Sequence, residues 1–317
     1  MSFPVFDLHC DTALALLRKE LCGGIELKSN QLHVDLDRAK TLPGYAQCFA
    51  CFTTPFMMEW YKKSPVEVFE REMAMILHQM EKNSDIIRQA YTAREVRKNY
   101  EKGLMSGILT IEGPAGFGFD PELLEDLHAV GFRMTTLGWN EDNVLTGSHV
   151  TGGGLTDLGR EFLKEAQRVG MMVDVSHISD KGFWDIMELT DKPIVASHSN
   201  SRAVCDHSRN LTDDMFRAIC QTGGVAGFNQ CADFVGEKPN LDTICDHILD
   251  FLELDPQGEH IALGADLDGC DELPEGFDGV QSYPAMAEKL LERGVDQEIL
   301  RKIYWENALG VMEKCCM

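Results

Sequence analysis

The residues of this chain best suited to chemistry stand at the ends of short apolar runs. Asp7-Leu8-His9-Cys10-Asp11 closes the first run, Glu112 follows another, and Ser176-His177, Ser197-His198 and Asp266-Leu267-Asp268 close three more. Imidazole nitrogens mixed with carboxylate oxygens are the donors that Zn2+ or a similar divalent ion takes. His9 and Asp11 are two residues apart, and on an extended chain such residues point to the same side and reach one small volume. Glu112 has two oxygens and could bridge a pair of ions about 3.5–4 Å apart, the spacing of two-metal sites. His177 and His198 would then complete the second ion. One histidine at a strand end is usually a hydrogen-bonded structural residue. Five donors at four strand ends, His9, Asp11, Glu112, His177 and His198, are hard to assign to chance.

These residues need elements to position them. Eight β-rich apolar runs recur at about 4–8, 45–52, 107–111, 132–137, 170–175, 193–196, 223–228 and 261–265. Most are continuously apolar rather than alternating, as strands of a parallel sheet covered on both faces should be. Helix-start signals fall between them. Ser64-Pro65-Val66-Glu67 opens an amphipathic segment expected to run to about Ala90, Asp120-Pro121 precedes 123–130, Thr156-Asp157 precedes 158–169, and Thr212-Asp213-Asp214 precedes 215–222. No linker, repeat or low-complexity tract marks a boundary. The economical reading is one (β/α)8 TIM barrel over residues 1–317, with a doubly wound open sheet as the alternative. In a barrel the C-terminal strand ends converge on one mouth, which is where the polar residues fall.

Composition narrows the partners. Acidic residues outnumber basic ones 52 to 29, for a formal charge of −23, a field that repels nucleic acid and anionic membrane surfaces. The start, Met1-Ser2-Phe3-Pro4, has no basic region and no long apolar stretch, and no window of about 18 apolar residues occurs elsewhere. Eleven cysteines without a spaced framework point to a reducing compartment, so the expected location is the cytoplasm. Cys48 and Cys51 form one C-x-x-C inside an apolar run and read as two core thiols. The histidines at 33, 78, 128, 149, 207, 247 and 260 fall in expected helices or loops, where surface or packing roles are favoured.

Taken together, Asp7-Leu8-His9-Cys10-Asp11, Ile111-Glu112-Gly113, Asp174-Val175-Ser176-His177-Ile178-Ser179, Ala196-Ser197-His198-Ser199, Ser208-Arg209-Asn210 and Gly264-Ala265-Asp266-Leu267-Asp268-Gly269 resemble the membrane dipeptidase (renal dipeptidase) family, peptidase family M19, among the amidohydrolase-like metal barrels. Their order matches that family, as does the gap of 21 residues between His177 and His198. The resemblance implies two zinc ions, one on His9 and Asp11 and one on His177 and His198, with Glu112 bridging and a metal-bridging hydroxide as nucleophile. It implies that Asp266 carries the proton between water and leaving amine, with Asp268 as the rival, and that Arg209 pairs with the substrate carboxylate. It further implies a dipeptide substrate, tolerance of a D-residue at the C-terminal position, and a possible homodimer.

Two positions depart from the family. Trp139 stands where mammalian members carry a histidine near the substrate carbonyl, and an indole N–H can donate only a neutral hydrogen bond. Phe234 stands where those members place a substrate-contacting tyrosine. Both are counted as substrate-facing residues. The expected activity is therefore zinc-dependent hydrolysis of dipeptides. A related amidohydrolase acting on N-acyl amino acids or another amide or lactone is the first competitor, and a noncatalytic barrel binding metal or peptide is the second.

Overall fold

In the computed structural model, which describes residues 2–20 and 25–316, the chain alternates strand and helix as its sequence pattern requires. Nine parallel strands form, β1 (Val5–Cys10), β2 (Tyr45–Phe52), β3 (Ile87–Gln89), β4 (Met105–Glu112), β5 (Phe132–Thr136), β6 (Met172–Asp174), β7 (Ile194–Ala196), β8 (Val225–Phe228) and β9 (Ile261–Leu263). Their order is β2-β1-β9-β8-β7-β6-β5-β4-β3, and a further pairing of β2 with β4 closes the sheet into an eight-stranded barrel. The (β/α)8 expectation holds, and the open-sheet alternative is excluded by that closing pairing, which runs in register from Ala46 opposite Ser106 to Phe52 opposite Glu112.

Each of the eight expected runs overlaps a barrel strand, with β1 extending past its run to Cys10 and β4 past both ends of its run. The ninth strand was not expected. The helix that begins at Ser64 ends at Lys82 rather than near Ala90, and Ile87–Gln89 pairs with the first residues of β4. The stop has a local cause: Asn83-Ser84-Asp85 is a cluster of turn formers, and the Asn83 amide folds back onto the Gln79 carbonyl at 2.8 Å. β4 divides one edge between two partners, with Met105 to Gly107 facing β3 and Leu109 to Ile111 facing β5. The capping expectations fare better. Thr156 and Thr212 cap the Asp157–Val169 and Asp213–Thr222 helices through the amides of Gly159 and Met215.

The lumen is filled with apolar side chains at the end away from the site. Phe6, Leu8, Ala46, Cys48, Ile108, Met134, Met172, Val195, Val225 and Ala262 belong to one buried cluster. Side chains from all eight barrel strands can share a cluster only inside the barrel. The same cluster includes Trp305, Leu309 and Met312, so the C-terminal helix, Asn307–Cys315, seals that end. Cys48 and Cys51 are buried on β2 as free thiols, as the C-x-x-C reading anticipated.

At the other end, β7, β8 and β9 approach closely. A side chain added at Gly264 would begin 1.7 Å from the Ser197 carbonyl oxygen, and one at Gly227 would begin 2.2 Å from it. Both neighbours are backbone, so neither can swing aside. Gly264→Ala should cost on the order of 3 kcal/mol through forced overpacking, read as a lower urea midpoint. An unchanged midpoint would show that the two strand ends are not held this tightly.

Candidate metal centre

The open mouth of the barrel gathers the donors expected there. His9 lies at the end of β1, Glu112 ends β4, His177 follows β6, His198 follows β7, and Asp266 follows β9. His9, Asp11, Glu112, His177, His198 and Asp266 are all buried, none more than 8% exposed. His9 Nε2 is 3.5 Å from Asp11 Oδ2, 3.2 Å from Glu112 Oε2 and 3.8 Å from Asp266 Oδ1. On the opposite side of the same carboxylate, Glu112 Oε1 is 2.8 Å from His177 Nε2 and 3.9 Å from His198 Nε2. The two oxygens of Glu112 thus face two different sets of donors.

Among the described residues two three-donor groups lie close enough to hold an ion, His9 with Glu112 and His198, and His9 with Asp11 and Asp266. His177 belongs to neither group, although its Nε2 is 2.9 Å from His198 Nε2. Two ring nitrogens so close within reach of one carboxylate oxygen are placed to share a cation. His9 Nε2 and Asp11 Oδ1 are buried without a hydrogen-bond partner, which is costly unless something else satisfies them. Orphaned donor atoms among converging carboxylates and imidazoles fit a divalent cation.

Electrostatics gives the same indication. Burial, reinforced by the negative charge of Asp11, pushes the Glu112 carboxyl up to about 8. Burial likewise raises Asp266, against the pull of His9, Arg209 and the Asn229 amide. Burial lowers His177 and His198 well below the usual imidazole value, with Arg209 and His9 adding to the effect, so both are neutral near pH 7 and carry a free lone pair. His9 is the exception. Burial works against its charged form, yet the carboxylates of Glu112 and Asp11 hold it well above the ordinary value.

Two residues that the sequence reading did not single out build this mouth. Asp7 is fully buried, and its Oδ1 accepts from His9 N at 2.9 Å and Gln47 Nε2 at 3.0 Å. Its Oδ2 accepts from Ala265 N at 3.0 Å and from the Tyr283 hydroxyl. Burial still raises its carboxyl, with the four donors pulling the other way. Asp174 plays the same part across the barrel, its Oδ1 accepting from Ser176 N and Ser197 N, both at 2.9 Å, and its Oδ2 from the Ser197 hydroxyl. Their positions in Asp7-x-His9 and Asp174-x-x-His177 were visible, but their acceptor role depends on partners far away in sequence.

Backbone conformation marks the same region. Of the five non-glycine residues with positive φ among the described residues, three are His177 (69°), Asp266 (59°) and Asp268 (68°). Side chains rarely adopt this left-handed region, and such strain concentrates at functional sites. Asp268 is otherwise engaged: it accepts from the Thr12 hydroxyl at 2.7 Å and from His33 N at 2.6 Å. Asp266, held by Asn229 Nδ2 at 2.9 Å, stays beside His9. Of the two rivals for proton carrier, only Asp266 reaches the donor cluster.

A cavity of about 560 Å³ opens over the cluster, and Trp139 and Phe234 line it with Leu14, Phe52 and Trp60. Trp139 packs edge-on against Phe52 and Trp60, with ring centroids 5.0 and 5.8 Å away. Arg209 lies under Phe234, its guanidinium carbon 5.4 Å from the ring centroid and Nη2 3.1 Å from His177 Nε2. It is 4% exposed, and its Nε has no partner. His149 departs from the surface or packing role expected of it: its ring is 6.3 Å from that of His177, and it reaches Asn140, which also borders the cavity.

Comparison with known proteins places the chain. A family model described as membrane dipeptidase (peptidase family M19) matches residues 1–316. An uncharacterized dipeptidase from Schizosaccharomyces pombe is 33% identical over 68% of this chain, and the match spans only 55% of that longer protein. A metallopeptidase from Rhodobacter sphaeroides, solved with a phosphinate mimic of the dipeptide L-Ala-D-Ala, superposes with a TM-score of 0.89 at 29% identity, covering 99% of this chain and all of that one. A family M19 dipeptidase structure superposes equally well, with a TM-score of 0.89 at 30% identity, covering 100% and 99% of the two chains.

Asp174→Ala would leave the Ser176 and Ser197 amides buried without an acceptor, at a cost on the order of 3 kcal/mol. The expected result is a lower thermal midpoint together with weaker metal retention by elemental analysis; a variant matching the parent in both would remove Asp174 as the support of His177 and His198. The full-length family match, the barrel and the donor cluster agree, and the chain belongs to the membrane dipeptidase family, the M19 metallodipeptidases.

Proposed function

We propose that the protein hydrolyses dipeptides with two divalent ions, zinc being the expected metal, one held by His9 and Asp11 and the other by His177 and His198, with Glu112 shared. The observation that carries this reading is the placement of Glu112, whose Oε2 faces His9 while its Oε1 faces His177 and His198. When bound, such ions lower the pKa of water and polarise the scissile carbonyl.

The remaining roles fall to the chain's own groups. Among the described residues the Arg209 guanidinium hydrogen-bonds only to His177 Nε2 and the His198 carbonyl, its Nε has no partner, and a buried guanidinium without an anion is costly. A substrate carboxylate would supply the missing charge, and the planar fork of the guanidinium suits it. Asp266 is turned toward the cluster, and its raised carboxyl suits a group that takes a proton from water and delivers it to the leaving amine. Acceptance of a D-residue at the C-terminal position is in keeping with the L-Ala-D-Ala mimic bound by the R. sphaeroides relative. Trp139 and Phe234 would set which side chains enter.

Turnover of a library of L,L and L,D dipeptides beside N-acyl amino acids tests the substrate class. Dipeptides should be cleaved, and exclusive turnover of acylated amino acids would transfer the assignment to that class. Asp266→Asn should keep both ions and lose roughly 100- to 10,000-fold in kcat, the range of a general acid–base group, whereas near-parent turnover would remove it from the mechanism.

Metal uptake should also release protons. Below about pH 8 the metal-free site holds a proton on Glu112, which must leave for the carboxylate to bind a cation. His177 and His198 are already neutral and contribute none. Calorimetry at pH 7 in buffers of different ionisation enthalpy should therefore show proton release that diminishes as the pH rises through 8. Uptake with no release at pH 7 would contradict the site's electrostatics.

A further inference from the structure

His177 is gripped from outside the donor cluster. Its Nδ1 lies 2.7 Å from Asn140 Oδ1, and the same oxygen lies 2.9 Å from His149 Nε2. His149 Nδ1 lies 2.8 Å from the Ser208 hydroxyl. Four residues on three segments are joined in this way: Asn140 in the loop after β5 and His149 further along the same loop, His177 after β6, and Ser208 immediately before Arg209. Backbone contacts hold the frame, since His149 N donates to the His177 carbonyl at 2.9 Å and the Ser148 hydroxyl donates to the Asn140 carbonyl at 2.9 Å.

Counting protons fixes the state of the ring. A carboxamide oxygen has none to give, so both imidazoles must present N–H groups to it. With the proton of His177 on Nδ1, its lone pair lies on Nε2, the nitrogen that faces Glu112 Oε1 at 2.8 Å. The opposite tautomer would place an N–H where a cation needs a lone pair. Histidine ligands are commonly held this way by an acceptor on the far nitrogen. His198 is served differently, its Nδ1 meeting the hydroxyl of its own neighbour Ser197 at 2.6 Å.

We propose that Asn140 is the positioning residue for His177, fixing its tautomer and ring plane, and that His149 locks Asn140 in place while tying it to the Arg209 loop. The inference rests on His177 as a metal ligand. It adds a continuous chain of hydrogen bonds from the Arg209 loop, through Ser208 and His149, to the acceptor of a ligand's proton.

The test uses the full chain with three substitutions. Asn140→Leu removes the acceptor, Asn140→Asp keeps it, and His149→Phe keeps the ring shape without the second donor. The readouts are the 15N ring shifts of His177 in the metal-free protein, assigned by loss of the signal in His177→Gln, and the Zn2+ dissociation constants from chelator competition. Parent protein should show the Nδ1–H tautomer. Asn140→Leu should lose that preference and bind the weaker of two ions about 10- to 100-fold less tightly, the usual cost of losing such a partner. Asn140→Asp should restore both properties, and His149→Phe should fall between. An Nε2–H tautomer in the parent, or unchanged zinc affinity in Asn140→Leu, would overturn the proposal. If Asn140→Leu fails to fold, the parent tautomer and His149→Phe decide. A parent that shows the expected tautomer but binds no second ion would defeat the ligand assignment of His177 instead, so the two failures are distinguishable.

Discussion

The mouth of this barrel depends on two buried carboxylates that bind backbone rather than metal. Asp7 joins the end of β1 to the end of β9 by accepting the amides of His9 and Ala265. Asp174 joins the end of β6 to the end of β7 by accepting the amides of Ser176 and Ser197. The clasped amides therefore belong to His9 itself and to the residues immediately before Asp266, His177 and His198. Strand ends in a parallel barrel leave amide groups without a ladder partner, and burying them unpaired would be costly. An ionisable acceptor answers that need and also fixes the direction of the outgoing chain.

The clasps are needed because the cluster they support is unfavourable by itself. Asp11 and Asp266 are buried within 4.8 Å of each other, Glu112 meets the same His9 nitrogen at 3.2 Å, and the left-handed turns at His177 and Asp266 add strain. In the metal-free protein the cost is reduced by protonation, with Glu112 pushed up to about 8. The alternative relief is a cation, and the arrangement favours that state by leaving His177 and His198 neutral. The same field explains why Arg209 sits so near: a buried guanidinium next to two neutral imidazoles lowers their affinity for protons while remaining unpaired itself.

Much of this was legible in the sequence, and the exceptions share a cause. Apolar runs punctuated by capped helices signal the barrel, and donors at run ends signal the candidate site, because both signals are local. Where the fold departs, as at Ile87–Gln89, the turn formers Asn83-Ser84-Asp85 were present, but helical periodicity outweighed them in the reading. Asp7 was visible as a residue, yet its partner Ala265 is 258 positions away, and Asp174 reaches Ser197 across 23. His149 looked like a loop histidine because nothing near it in sequence announces Asn140 and Ser208 as its neighbours in space. Local patterns reveal which groups can react, whereas the hydrogen bonds that aim them are set by strand order.

Strand order also separates chemistry from selection. The donors and Asp266 stand on strand ends, where clasps and glycine contacts leave little room for drift. The cavity wall above them comes from connections instead: Leu14 from the segment after β1, Trp60 from the short helix after β2, and Trp139 from the loop after β5. Trp139 is held in that wall by edge-on contacts with Phe52 and Trp60, an apolar arrangement that a lone polar side chain at this position would not join. The residue is thus tied to its aromatic neighbours rather than to the ions. The proposed chemistry then falls to the charged groups at the strand ends, and the apolar wall of Leu14, Phe52, Trp60 and Trp139 is suited to discriminate among side chains by shape.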